Sequence, residues 1–169
     1  MEKYNASMRI MHWLVGVLII AILALGLYMT GMPDGDPKWE VYAIHKSLGM
    51  IALFLFIIRF INRMKSNVPA PEGKAWEIKL SKANYFVLYV LMFVAPFSGY
   101  SASSLSGYPV SIFGYTVPNI YSHNPEIGKI FGQMHDISTY ALMFFIALHV
   151  AGFLKHLIID KRNLLKKIV

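Results

Sequence analysis

The 169-residue chain is 56% hydrophobic and only 15% charged, with a positive mean hydropathy, so it is more apolar than soluble domains are. That composition identifies an integral membrane protein. The chain has no cysteine, which excludes disulfides, thiolate metal sites, Cys-held iron–sulfur clusters and C-x-x-C-H haem attachment.

Four windows are long and apolar enough to span a bilayer, at about 12–32, 42–61, 85–105 and 134–159. The first opens on "MHWL", with His12 at its boundary and Gly16 four residues on. It reads as a mature helix, because it is too long for a signal-peptide core and no small-residue cleavage site follows. The second contains "AIHKSLG": His45 one turn inside, then Lys46 and Gly49, with Arg59 14 residues after His45. The "EGKAWEIKLSKANY" stretch before the third window suits an interfacial segment beside anionic lipid.

The third window has no histidine, and Pro96 predicts a bend where the Met92 carbonyl loses its donor. The connection after it, "SGYPVSIFGYTVPNIYSHNPEIGKIFGQ", is rich in Gly, Pro and aromatics. It is expected to form an ordered cover over the outer end, with Tyr108, Phe113, Tyr115 and Tyr121 at headgroup depth and His123 on the surface. The fourth window carries His135, His149 and His156. Steps of 14 and 7 residues fall short of whole turns by about 40° and 20°, so the three imidazoles share nearly one face.

Lysine and arginine set the orientation. Lys3 and Arg9, the six between Arg59 and Lys82, and the five from Lys155 to Lys167 lie on one side, against Lys38, Lys46 and Lys129 on the other. The positive-inside rule then puts both termini in the cytoplasm. It also explains the basic character without a nucleic-acid partner. One membrane domain, 1–169, folded as an all-α four-helix bundle with short connections, is the expected architecture.

Depth now pairs the histidines. His12 opens the first helix at the cytoplasmic face, and His149, about 21 Å along the axis from His135, returns to that level. His45 and His135 lie at the outer level. Two imidazoles facing across a planar macrocycle are what bis-histidine haem ligation needs, and two such pairs imply two haems and a redox role. Gly16, Gly49 and Gly152 sit three or four residues from His12, His45 and His149, and Gly26 lies 14 beyond His12. Missing side chains there make room for a porphyrin edge, although glycines also simply pack membrane helices. Histidines that only hydrogen-bond across the bundle, or a metal-ion transport path, are the competing accounts. A path would add carboxylates, and Asp136 is the one carboxylate in the four spans.

"MHWL", "AIHKSLG", "MHD", "ALHV…H" and "GYPVSIFGYTVP" together resemble the bacterial diheme cytochrome b561 family over essentially the whole chain, close to its superoxide oxidase branch. The resemblance implies a bacterial inner-membrane, multi-pass protein with two b haems, axial ligands His12, His45, His135 and His149, and electron transfer from superoxide to ubiquinone. On that footing His156 either hydrogen-bonds and protonates a quinone or anchors the helix at the boundary. Arg59 either meets a haem propionate or, more ordinarily, snorkels. Lys46 beside His45 is the cation that would focus a small anion, against an outer side with five carboxylates and three lysines. The alternative redox role is a relay cytochrome serving a dehydrogenase or a periplasmic donor.

Overall fold

The computed structural model describes residues 2–169. Four helices, α1 (Ala6–Thr30), α2 (Asp36–Lys65), α3 (Ala75–Leu105) and α4 (Pro125–Ile158), are each long and apolar enough to cross a membrane. A small hairpin between α3 and α4 pairs β1 (Ser111–Ile112) with β2 (Tyr115–Thr116), and a 3-10 turn, Leu164–Lys167, follows α4. The chain is an all-α membrane bundle.

Each helix runs past its apolar window because polar residues complete its end. Asn5 accepts from the Met8 N–H at 2.8 Å and starts α1. Asn124 accepts from the Ile127 N–H at 3.2 Å, with Pro125 at the first helical position of α4. The "AWEIKLSKANY" stretch is the first part of α3, where the Glu77 carboxylate accepts from the Lys74 N–H at 2.9 Å. Pro96 lies inside α3, and the helix continues through it to Leu105.

α1 packs on α2, α2 on α3, and α3 most extensively on α4. The α3–α4 seam is tight because its residues are small. Ser98 and Ser101 are fully buried, and a methyl group on Gly128 would stand 2.5 Å from Ser106 Oγ. Each helix gives one residue to the core, Val15, Phe56, Met92 and Leu142. This core separates two cavities, and Ile19, Met92 and Leu142 line both of them. Large apolar side chains such as Phe54, Phe86, Ile137 and Phe144 point outward, as lipid contact requires.

Both termini meet at one end of the bundle. The Tyr4 N–H donates to the Lys167 carbonyl at 3.0 Å, Trp13 Nε1–H donates to the Ile168 carbonyl at 3.1 Å, and Lys167 pairs with Glu72 at 2.7 Å. At the other end Phe113 (φ 45°) and Gly114 (φ 95°) both have positive φ, the signature of a type I′ hairpin turn. The Phe113 N–H donates to Ser47 Oγ at 3.2 Å, and the Tyr100 hydroxyl donates to the Pro118 carbonyl at 2.6 Å. Tyr108, Phe113 and Tyr115 are exposed, and Tyr121 is half-buried against Ser101. The connection is ordered. Its anchors are Ser47, two residues after His45 in α2, and Tyr100 near the end of α3, and it adds no residue to either cavity wall among the described residues.

Candidate functional site

The bundle brings four histidines together as two facing pairs. His12 of α1 and His149 of α4 have ring centroids 6.2 Å apart, with planes inclined at 59°. His45 of α2 and His135 of α4 are also 6.2 Å apart, inclined at 86°. These are the pairs that helical depth predicts. They lie at opposite levels of α4, separated by about four turns and by the core between them.

Chemistry of the donor set fits an ion between each pair. With metal–nitrogen bonds of about 2.0 Å and ring centres about 1.1 Å behind their nitrogens, two imidazoles in line on one ion have centroids roughly 6.2 Å apart. The inclination of the planes is free, because each ring can turn about its metal–nitrogen axis. His135 Nδ1 donates to the Ala95 carbonyl at 2.7 Å when it carries the ring proton, which leaves Nε2 as the ligating nitrogen. His45 Nδ1 is buried and has no hydrogen-bond partner among the described residues.

Both pairs border cavities. The one at His12 and His149 is about 630 Å³, within the range of cofactor pockets, and the one at His45 and His135 is about 240 Å³. Gly16 lines the first and Gly49 and Gly26 the second. Added methyl groups at Gly16 and Gly49 would meet nothing within 4 Å, so both glycines leave open space. The larger cavity has the aromatic wall and positive rim that suit an apolar macrocycle with acidic substituents. Tyr85 stands 5.8 Å from the His149 ring, while Arg59 and Arg63 lie 5.8 Å and 5.7 Å from the Tyr89 ring. No carboxylate is among its lining residues.

The remaining sequence candidates fall in different places. Arg59 does not snorkel away from the bundle: Nη2 donates to His12 Nδ1 at 3.2 Å and the side chain lines the larger cavity. Lys46 is half-buried beside His45, 5.7 Å from the centre of the Tyr108 ring, with no carboxylate partner among the described residues. Gly152 is not on the cavity wall. A three-residue step turns it about 60° from His149, away from Val150 and Phe153, which do line the cavity. His156 lies beyond the wall too, in a charged cluster with Lys155, Asp160 and Glu77.

Three contributors escape a sequence reading. Gly99 of α3 lies against His135, where a methyl group would be 2.9 Å from Nδ1. The Ala95 carbonyl orients the same ring, and Asp160 holds His156 at 2.6 Å. Only the last left a signal, since Asp160 follows His156 by four residues, one helical turn.

Residues 3–169 match the protein family described as prokaryotic cytochrome b561. Cytochrome b561 homolog 2 of Escherichia coli (strain K12) is 28% identical, across 99% of this chain and 92% of that protein. Cytochrome b561 homolog 1 of the same strain is 24% identical, across 100% of this chain and 98% of the relative. A protein of Yersinia pestis named probable superoxide oxidase CybB is 24% identical, across 98% of this chain and 95% of its own length. With four apolar helices and two facing histidine pairs, a match along nearly its whole length makes this chain a member of the prokaryotic cytochrome b561 family, membrane electron-transfer proteins built around b-type haem.

Proposed function

We propose that this protein is a superoxide:ubiquinone oxidoreductase of the bacterial inner membrane, with two bis-histidine b haems and both termini in the cytoplasm. The observation that carries the reading is the pair of facing imidazoles at each end of the bundle, with the same 6.2 Å separation. His12 and His149 would hold one haem, His45 and His135 the other. When bound, the haems supply one-electron carriers at the two levels of the membrane. With two histidines of the chain to hold each haem, such sites would favour outer-sphere electron transfer over oxygen binding.

The chain's own residues divide the remaining work. Lys46 beside His45, with no carboxylate partner among the described residues, offers a positive charge to a small anion at the outer mouth. Arg59 and Arg63 offer positive charge to porphyrin carboxylates at the other end. Arg59 fixes the His12 ring proton on Nε2, so ligation through that nitrogen requires the proton to move to Nδ1 and Arg59 to turn away. Two superoxide anions release two electrons and two molecules of O₂, and ubiquinone takes up two electrons and two protons to become quinol. The cytoplasmic placement of the termini rests on the basic residues gathered at that end.

Two measurements test this reading. A pyridine haemochrome assay should give two b haems per chain; one or none would remove the second site, and bound zinc or copper instead would favour a transporter. Pulsed superoxide should reduce the haem absorbance of the purified protein within the pulse. In Lys46→Gln that reduction should slow by about 3- to 10-fold at low ionic strength and lose part of its salt dependence. The excess of carboxylates over lysines in the outer segments of the sequence supports a second reading, a relay cytochrome with a periplasmic protein donor. Haems that ignore superoxide but accept electrons from such a donor would select it.

A further inference from the structure

The end of α4 carries a charged cluster that the haem sites do not use. Asp160 Oδ2 accepts from Lys155 Nζ at 2.8 Å, His156 Nδ1 at 2.6 Å and Arg162 Nη2 at 3.3 Å. Lys155 also pairs with Glu77 at the start of α3, which ties the two helices together. The ammonium of Lys155, and after it the His156 ring, pulls the Asp160 carboxyl down to about 2. Asp160 is therefore ionised at neutral pH and can only accept, so the proton in its contact with His156 belongs to Nδ1. Nε2 is left as the free nitrogen.

A metal site is the competing assignment, because Glu77, His156 and Asp160 have ligand atoms within 4.8 Å of one another. Lys155 bonds both carboxylates and so already fills the place of a cation with a fixed charge. Two carboxylates face two cations, Lys155 and Arg162, and the cluster is closed without an ion.

We propose that Asp160, clamped by Lys155 and through it by Glu77, is a positioning residue that fixes His156 as the proton donor to a quinone reaching the α3–α4 end from the lipid side. This rests on the quinone reading above. His156 lies outside the larger cavity, while exposed Trp76, whose ring centre is 6.0 Å from Lys155 Nζ, marks the lipid-facing approach. As electrons arrive, the Nε2–H bond of the imidazolium breaks and an O–H bond forms on the quinone. Cytoplasmic water restores the proton to the same nitrogen. Asp160 keeps the Nδ1–H in place throughout and opposes the positive charge of the ring; Glu77 from α3 and Lys155 and Arg162 on its own side are the other charged groups facing it.

The test follows haem reoxidation after mixing the reduced, haem-loaded protein with ubiquinone-1. His156→Ala should slow it on the order of 10²-fold, the usual size of a general-acid contribution. Asp160→Asn should slow it by about 10- to 100-fold near neutral pH, the usual cost of a lost orienting partner, with the deficit shrinking as pH falls and bulk protons compensate. Asp160→Glu should recover most of the rate. In ¹⁵N-histidine spectra, assigned with His156→Gln, the neutral ring should be the Nδ1–H tautomer and become mixed in Asp160→Asn. A wild-type rate and pH profile in Asp160→Asn would overturn the proposal. So would uniform slowing or haem loss that Asp160→Glu does not repair, or an Nε2–H tautomer in the unmodified protein. A His156→Ala variant that reoxidises normally would overturn it too, while leaving the quinone reading standing; an unmodified protein that ubiquinone-1 does not reoxidise would remove both.

Discussion

His12→Ala and His149→Ala should each abolish one and the same haem signal, and His45→Ala and His135→Ala should each abolish the other. The loss should be close to complete in each case. An ion held on the axis between two rings whose centroids are 6.2 Å apart has one protein ligand on each side, and alanine offers no replacement. The surviving pair lies about 21 Å away along α4, beyond the apolar core of Val15, Phe56, Met92 and Leu142. Its signal should therefore persist with little change. Absorbance difference spectra of the four variants, with haem content by pyridine haemochrome, make the comparison. Grouping of His12 with His135, or loss of both haems in any single variant, would contradict two independent sites.

The sites also differ in surroundings, so the signals can be told apart. His12 has the Arg59 guanidinium at 3.2 Å, whereas His45 Nδ1 has no partner among the described residues. A cation in the wall of a site favours the less positive, reduced form of the centre held there, and Arg59 lines the His12 cavity. Arg59→Gln should therefore lower the potential of the centre that His12→Ala removes and leave the other in place.

Much of this arrangement was legible in the sequence because two periodicities are rigid. An apolar run of about 20 residues has few alternatives to a membrane helix, and 14 residues bring an imidazole back to nearly the same face. Depth alone therefore paired His12 with His149 and His45 with His135, the rings that face each other in the bundle. Residues that act sideways were harder to read. Arg59 turns inward to His12 instead of outward to water because the α1–α2 contact brings their backbones together, which a single helix cannot reveal. Gly152 has the right spacing from His149 but the wrong sense of rotation. Asp160 lies past the end of the apolar window, outside the periodicity that marks the span. The hairpin's seat on Ser47 depends on a tertiary hydrogen bond with no local mark in the sequence.

Gly99 is the sharpest case, since α3 has no histidine and so offered nothing to look for. In the folded bundle the His135 ring crosses α3 with Nδ1 on the Ala95 carbonyl at 2.7 Å, and it lies directly over Gly99 one turn later. A methyl group at 99 would stand 2.9 Å from Nδ1 and 3.0 Å from Cε1, closer than carbon atoms ordinarily approach. The α3 backbone cannot retreat freely, because Ser98 and Ser101 beside it are fully buried. The ring must move instead and give up the Ala95 carbonyl, the bond that holds its tautomer and direction. Gly99→Leu should therefore abolish the haem signal that His135→Ala abolishes, although every histidine is still present. The other signal should stay, because the His12–His149 pair touches none of these atoms. Gly152→Ala is the control: its methyl group meets nothing within 4 Å and the residue stands off both cavity walls, so it should retain both signals. Full haem content in Gly99→Leu would mean that His135 does not need this seat, and that Gly99 serves only the close packing of α3 on α4.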